Sequence, residues 1–146
     1  MYQHILVPVD GSTTSDRALQ EALRLAKQQG AQLRLIYVLE NILFPDNEAY
    51  FDYAALQEVV KRNGENILER AKAAALQAGI EAETMLLETA GERIASMIVA
   101  EAQRWPADLI VIGTHGRSGF NRLLFGSVAE GVVRTAQTPV LLIRGS

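Results

Sequence analysis

Apolar positions along this chain fall into two alternating rhythms. Stretches 5–9, 32–39, 81–87, 109–112 and 139–143 are short and apolar, the third with only a loose alternation. Runs of this length between turn residues read as strands. The stretches between them repeat at helical spacing. Ala18, Leu19, Ala22, Leu23 and Ala26 form one stripe, preceded by the N-cap chemistry of Thr13, Thr14, Ser15 and Asp16 and stopped at Gly30. Leu56, Val59, Val60, Ile67, Leu68, Ala71 and Ala75 form a second stripe, closed by Gly79, with Gly64 weakening its middle by about 1 kcal/mol relative to alanine. Thr89-Ala90-Gly91-Glu92 reads as a capping box for a third helix, with an inner face of Ile94, Met97, Ile98, Ala102 and Trp105 and a stop at Pro106. A fourth helix is expected over 127–136, and 40–50 is irregular around Pro45, Asp46 and Asn47.

Five strands separated by four helices imply right-handed crossovers and a parallel sheet covered on both faces. The expected fold is therefore a single α/β domain over residues 1–146, with no linker, repeat or low-complexity segment. In such sheets ligands bind beyond the carboxyl ends of the strands, where the strand order reverses. That rule puts Asp10, Val38 and Gly113 on one rim.

Composition narrows the function. A net charge of −3 argues against a nucleic-acid binder, which usually carries a basic stripe. Cysteine is absent, which excludes disulfides, thiolate nucleophiles and zinc–thiolate sites; an intracellular, cytoplasmic protein is the simplest reading. The apolar opening residues 5–9 lack a basic flank and run into Asp10, so they do not read as a signal peptide. No apolar run approaches the roughly 20 residues of a membrane helix.

The chemistry concentrates after the fourth strand. Gly113-Thr114-His115-Gly116 is followed, after nine residues, by Gly126-Ser127 at a helix start. Glycine admits a close backbone approach, and a helix N-terminus offers unpaired N–H groups and a favourable dipole to a phosphate. Gly113, Gly116 and Gly119 do not make G-x-G-x-x-G, no P-loop is present, and Gly126-Ser127 lacks the nucleophile-elbow frame. Each candidate also has a plainer role. Gly113 and Gly116 serve either a ligand's approach or a turn, and Ser127 either a phosphate or a cap. Asp10 either caps the helix after it or accepts from a ribose hydroxyl or holds Mg²⁺ through water. Arg117 and Arg122 either pair with phosphate or stay solvated. His115 titrates near neutrality or is a simple surface residue; His4 opens a strand and reads as structural. Phe44, Tyr50, Phe51 and Tyr53 either lid a ligand or fold onto the domain.

The spacing G-x-x-G, nine residues, G-S, behind residues 108–112 and paired with Val7-Pro8-Val9-Asp10-Gly11-Ser12 at the first strand end, closely resembles the universal stress protein family over essentially the whole chain. The resemblance implies a Rossmann-like α/β fold with a five-stranded sheet of order 3-2-1-4-5, and the family's ATP-binding branch. By that match Gly113, Gly116, Arg117, Gly126, Ser127 and Val128 line the phosphate and ribose region. Pro8, Val9, Asp10 and Val38 surround the adenosine, and Ile112 packs beside it. The implied ligand is ATP, with AMP or ADP as alternatives, and Mg²⁺ accompanies it. The resemblance also implies a homodimer through antiparallel pairing of Val140–Ile143, an apolar edge that invites such pairing. Three activities fit: a nucleotide-responsive regulatory dimer in stress response with an unidentified protein partner, a slow ATP hydrolase, or a dimeric interaction module indifferent to ligand. The motif holds no catalytic lysine, which leaves at most weak hydrolysis.

Overall fold

In the computed structural model, which describes residues 1–41, 53–114 and 126–145, the two rhythms become nine elements. They are β1 (His4–Pro8), α1 (Thr13–Gln29), β2 (Gln32–Leu39), α2 (Tyr53–Gln77), β3 (Glu83–Glu88), α3 (Ile94–Arg104), β4 (Leu109–Gly113), α4 (Ser127–Thr135) and β5 (Val140–Ile143). The strands form one sheet in the order β3-β2-β1-β4-β5, all parallel, as expected.

Two cores sandwich the sheet. Ile5, Val7, Leu33, Leu35 and Val111 face α1 and α2, and Leu6, Ile36, Ile110 and Ile112 face α3 and α4. The central strands are apolar on both faces because both faces are buried. Gly64 is explained by packing: an added Cβ would lie 2.6 Å from the Tyr37 ring, so α2 rides against β2 only if this residue has no side chain. Gly30 ends α1 in the left-handed region at φ 68°, which a glycine adopts without strain.

Three local expectations change. The N-cap of α1 is Ser12, whose Oγ accepts the Ser15 N–H at 3.1 Å; the helix begins at Thr13, one residue after the cap. Thr89 is not a cap. Its N–H donates to the Leu39 carbonyl at 3.0 Å, continuing the β3–β2 ladder, and its buried Oγ1 accepts the Asn41 N–H. α3 starts later, with Arg93 as N-cap and no side-chain cap bond. Glu92 turns back onto the Ala90 N–H instead; that bond first, then its own N–H, holds its carboxyl below the usual carboxylate range.

The buried face of α3 is Ala95, Ile98, Glu101 and Ala102, with Ile94, Met97 and Trp105 only half-buried. Glu101 displaces the apolar expectation because Arg34 on β2 and Arg104 both reach it, at 2.6 and 2.8 Å. The Arg34 guanidinium also lies over the Trp105 ring, 4.9 Å from its centroid, and His4 meets the same ring edge-on. This charged and aromatic knot sits at the amino ends of the strands, opposite the rim formed by their carboxyl ends. No described helix is long and apolar enough to cross a membrane.

Candidate functional site

The site begins with a missing hydrogen-bond donor. Along β1, the His4 carbonyl accepts from Asp108 beside β4, whereas Val9 N–H donates to Ile36 of β2 at 2.8 Å. Even-numbered residues of β1 therefore face β4, and odd-numbered ones face β2. Pro8 is the next residue due to donate towards β4, and proline has no N–H. Pairing between β1 and β4 accordingly covers only Ile5↔Leu109 and Leu6↔Ile110, while β4 runs on to Gly113. The ladder stops short of the rim at the boundary where α1 leaves one face of the sheet and α4 packs on the other. This is the switch point of the strand order, the place where such sheets open to a ligand.

Residues from three strand ends gather there. Asp10 follows β1, Val38 lies near the end of β2, and Gly113 closes β4. Val38 and Ile112 pack on the α3–α4 face, but the Val9 side chain is buried in the opposite core against α1 and α2. Val9 thus has only its backbone to offer at the rim. One Asp10 oxygen accepts the Ser12 N–H at 2.9 Å, and the Asp10 N–H donates to Ser15 Oγ at 3.1 Å. Its carboxylate is steered by its own loop, and the helix cap belongs to Ser12. Among the described residues no group of three or more His, Asp or Glu side chains is placed to hold a metal ion.

On the far side, Gly126 is the N-cap of α4, with φ −65° and ψ 157° and no side-chain cap bond. Its N–H donates to the Thr114 carbonyl, and its own carbonyl accepts Glu130 N–H, the first bond of the helix. The N–H groups of Ser127, Val128 and Ala129 consequently have no partner within α4. The Ser127 side chain is exposed and Val128 half-buried. Gly126 has a backbone that any residue adopts, so no positive φ calls for glycine. Its effect is to leave those amides without the side-chain oxygen that a serine or aspartate would supply.

Gly113 does something different. An added Cβ there would lie 2.7 Å from Thr14 Cγ2 and 3.1 Å from the Thr14 backbone, so the missing side chain faces α1. Thr114, which the motif spacing passes over, has a buried Oγ1 with no hydrogen-bond partner. A buried orphan hydroxyl is rare enough to call for a role. Its position directly after Gly113 was the available signal. Gly116, Arg117, His115 and Arg122, and the aromatics Phe44, Tyr50 and Phe51, lie outside the described residues.

The rim, the uncapped helix and the fold can be set beside known proteins. A universal stress protein of Methanocaldococcus jannaschii is 36% identical over 144 residues, covering 99% of this chain and 83% of that protein. A crystal structure of a universal stress protein in complex with cAMP is 29% identical with a TM-score of 0.73, covering 99% of each chain. The universal stress protein from Archaeoglobus fulgidus in complex with dAMP is 27% identical with a TM-score of 0.69, covering 97% of this chain and 98% of that one. The model of the universal stress protein family matches residues 1–144, and this chain belongs to that family.

Proposed function

We propose that this protein binds an adenine nucleotide, ATP with Mg²⁺ foremost, at the rim between β1 and β4, and that occupancy alters a surface read by a partner. The observation that carries the reading is the α4 N-terminus, whose Gly126 cap leaves the first amides without a side-chain acceptor. Three unpaired N–H groups at a helix start suit phosphate oxygens. Ser127 would add a hydroxyl to the same anion, and Gly116 and Arg117 belong to the same motif. Val38 and Ile112 would supply apolar contact to the base on the α4 side, with Pro8 and the Val9 backbone at its edge. Asp10 would accept from a ribose hydroxyl or hold the cation through water. The cAMP and dAMP complexes of relatives favour an adenine nucleotide as the ligand class.

The dimer belongs to the same proposal. β5 is an edge strand of four half-buried apolar residues, Val140–Ile143, and antiparallel pairing with a second copy would satisfy that edge. Coupling between edge and site has a short route, because Thr114 N–H donates to the Ile143 carbonyl at 2.9 Å. The test is calorimetric titration of nucleotide-free protein with ATP and Mg²⁺, alongside mass spectrometry of any small molecule released on denaturing freshly purified protein. Binding with thermal stabilisation is the expected result. The absence of both binding heat and a released nucleotide would overturn the reading.

A further inference from the structure

We infer that Thr14, on α1, is a positioning residue for the nucleotide site, acting through Gly113. The inference rests on the reading above and adds to it a residue outside the glycine motif. Thr14 is buried in the first turn of α1 and fills a notch between two glycines. One wall is Gly113, where an added Cβ would meet Thr14 Cγ2 at 2.7 Å. The other is Gly145 beyond β5, where it would meet Thr14 Oγ1 at 2.7 Å.

Thr14 has little freedom to yield. It is β-branched in a helix, which restricts its rotamers. Its turn is pinned by Ser12 Oγ accepting Ser15 N–H at 3.1 Å, by Asp16 N–H on the Ser12 carbonyl at 2.9 Å, and by Asp10 N–H on Ser15 Oγ at 3.1 Å. The Thr14 backbone itself would stand 3.1 Å from a Cβ at 113, so rotating the side chain would not clear the way.

The end of β4 therefore takes its height from α1. The next residue passes that height on in two directions. Thr114 N–H reaches the Ile143 carbonyl on β5, and the Thr114 carbonyl receives Gly126 N–H, fixing the cap of α4. The amides of Ser127 and Val128 follow within two residues. A displacement of the Thr14–Gly113 contact is thus delivered to the Gly126 cap through one peptide and one hydrogen bond, and from the cap to the phosphate-facing amides next to it.

The test uses the full chain, calorimetric titration with ATP and Mg²⁺, and thermal melts of each variant. Gly113→Ala forces α1 and β4 apart and is expected to lower both melting temperature and affinity, the latter by roughly tenfold, the equivalent of one weakened charge-assisted hydrogen bond. Adding Thr14→Ser removes Cγ2, the closest obstacle, and restores part of that affinity, the tight backbone contact remaining. Leu33→Ala, a core truncation at the opposite end of the sheet, lowers the melting temperature without changing affinity. If Gly113→Ala does not fold, Thr14→Ala empties the notch without a clash and weakens binding several-fold. Unchanged affinity in a folded Gly113→Ala or Thr14→Ala protein, or no recovery in the folded double variant, overturns the inference while the binding reading stands. A wild-type protein that binds no nucleotide removes both.

Discussion

Replacing Gly126 by aspartate should strengthen the fold and destroy the site at once. The cap backbone, φ −65° and ψ 157°, accepts an aspartate without strain. Its carboxylate would take the Val128 and Ala129 N–H groups, the second and third of α4. Against glycine this cap contributes a few tenths of a kcal/mol, and a negative charge at a helix start adds roughly 0.3–1 kcal/mol. The nucleotide-free protein should gain about 1 kcal/mol, or about 2–4 °C in melting temperature for a domain near this size. A phosphate would lose the same two amides. At roughly 1.5–3 kcal/mol for each hydrogen bond to a charged group, affinity should fall by about 10²- to 10⁴-fold before any repulsion between carboxylate and phosphate. Gly126→Ser, neutral and a weaker competitor for a dianion, should fall between. Differential scanning fluorimetry without ligand and calorimetry with ATP and Mg²⁺ read the two effects separately. A variant that melts higher yet binds within about threefold of wild type would refute phosphate contact at α4. One that melts lower would show that glycine is there for space, and the argument from the bare cap would fail.

Thr114→Val removes a buried hydroxyl that has no partner, and should stabilise the nucleotide-free protein by about 1 kcal/mol in urea melts; destabilisation would reveal an unseen partner. Glu101→Ala leaves the half-buried Arg34 with Glu83, at 3.4 Å, as its carboxylate partner among the described residues, and should cost about 3 kcal/mol, the low end for a buried pair. Trp105, the chain's single tryptophan, lies against Arg34 and reports the change by fluorescence, while nucleotide affinity, set at the opposite rim, should hold. A loss under about 1 kcal/mol would mark the ion cluster as dispensable. Pro8→Ala supplies the missing donor towards β4 and should lengthen the β1–β4 ladder; the new amide should exchange slowly with deuterium and nucleotide affinity should drop. Fast exchange at residue 8 would show that the proline does not hold the rim open.

Much of the architecture was legible because burial writes itself into short apolar runs. Ile5, Leu6 and Val7, like Leu109 to Ile112, are apolar on both faces, as only a doubly covered strand requires. Glycines at the helix ends were equally direct. Pattern misled where a polar side chain has two possible partners. Thr89 and Glu92 have capping-box spacing, yet Thr89 gains more by extending the β3 ladder and bonding Asn41, a partner 48 residues away that spacing does not reveal. Glu101 occupies an inward position on α3 that periodicity reserves for an apolar residue, because Arg34 arrives from β2. Val9 looks like its neighbours in the strand, and only its parity with Val7 consigns the side chain to the α1–α2 core.

The glycine motif itself shows why a site is harder to read than a fold. As a string, Gly113 and Gly126 look like two pieces of one cradle. In space they answer to different constraints. Gly113 lacks a side chain because Thr14 occupies the volume, whereas Gly126 has unstrained backbone and withholds a cap. Thr114 carries a bond that joins them, its carbonyl to Gly126 N–H, and its hydroxyl is a buried group left unpaired. A motif that combines a packing requirement with a chemical one tolerates substitution differently at its two ends. A larger residue at 113 should injure fold and binding together. A better cap at 126 should set them against each other, and that divergence separates a built anion site from a turn that happens to be rich in glycine.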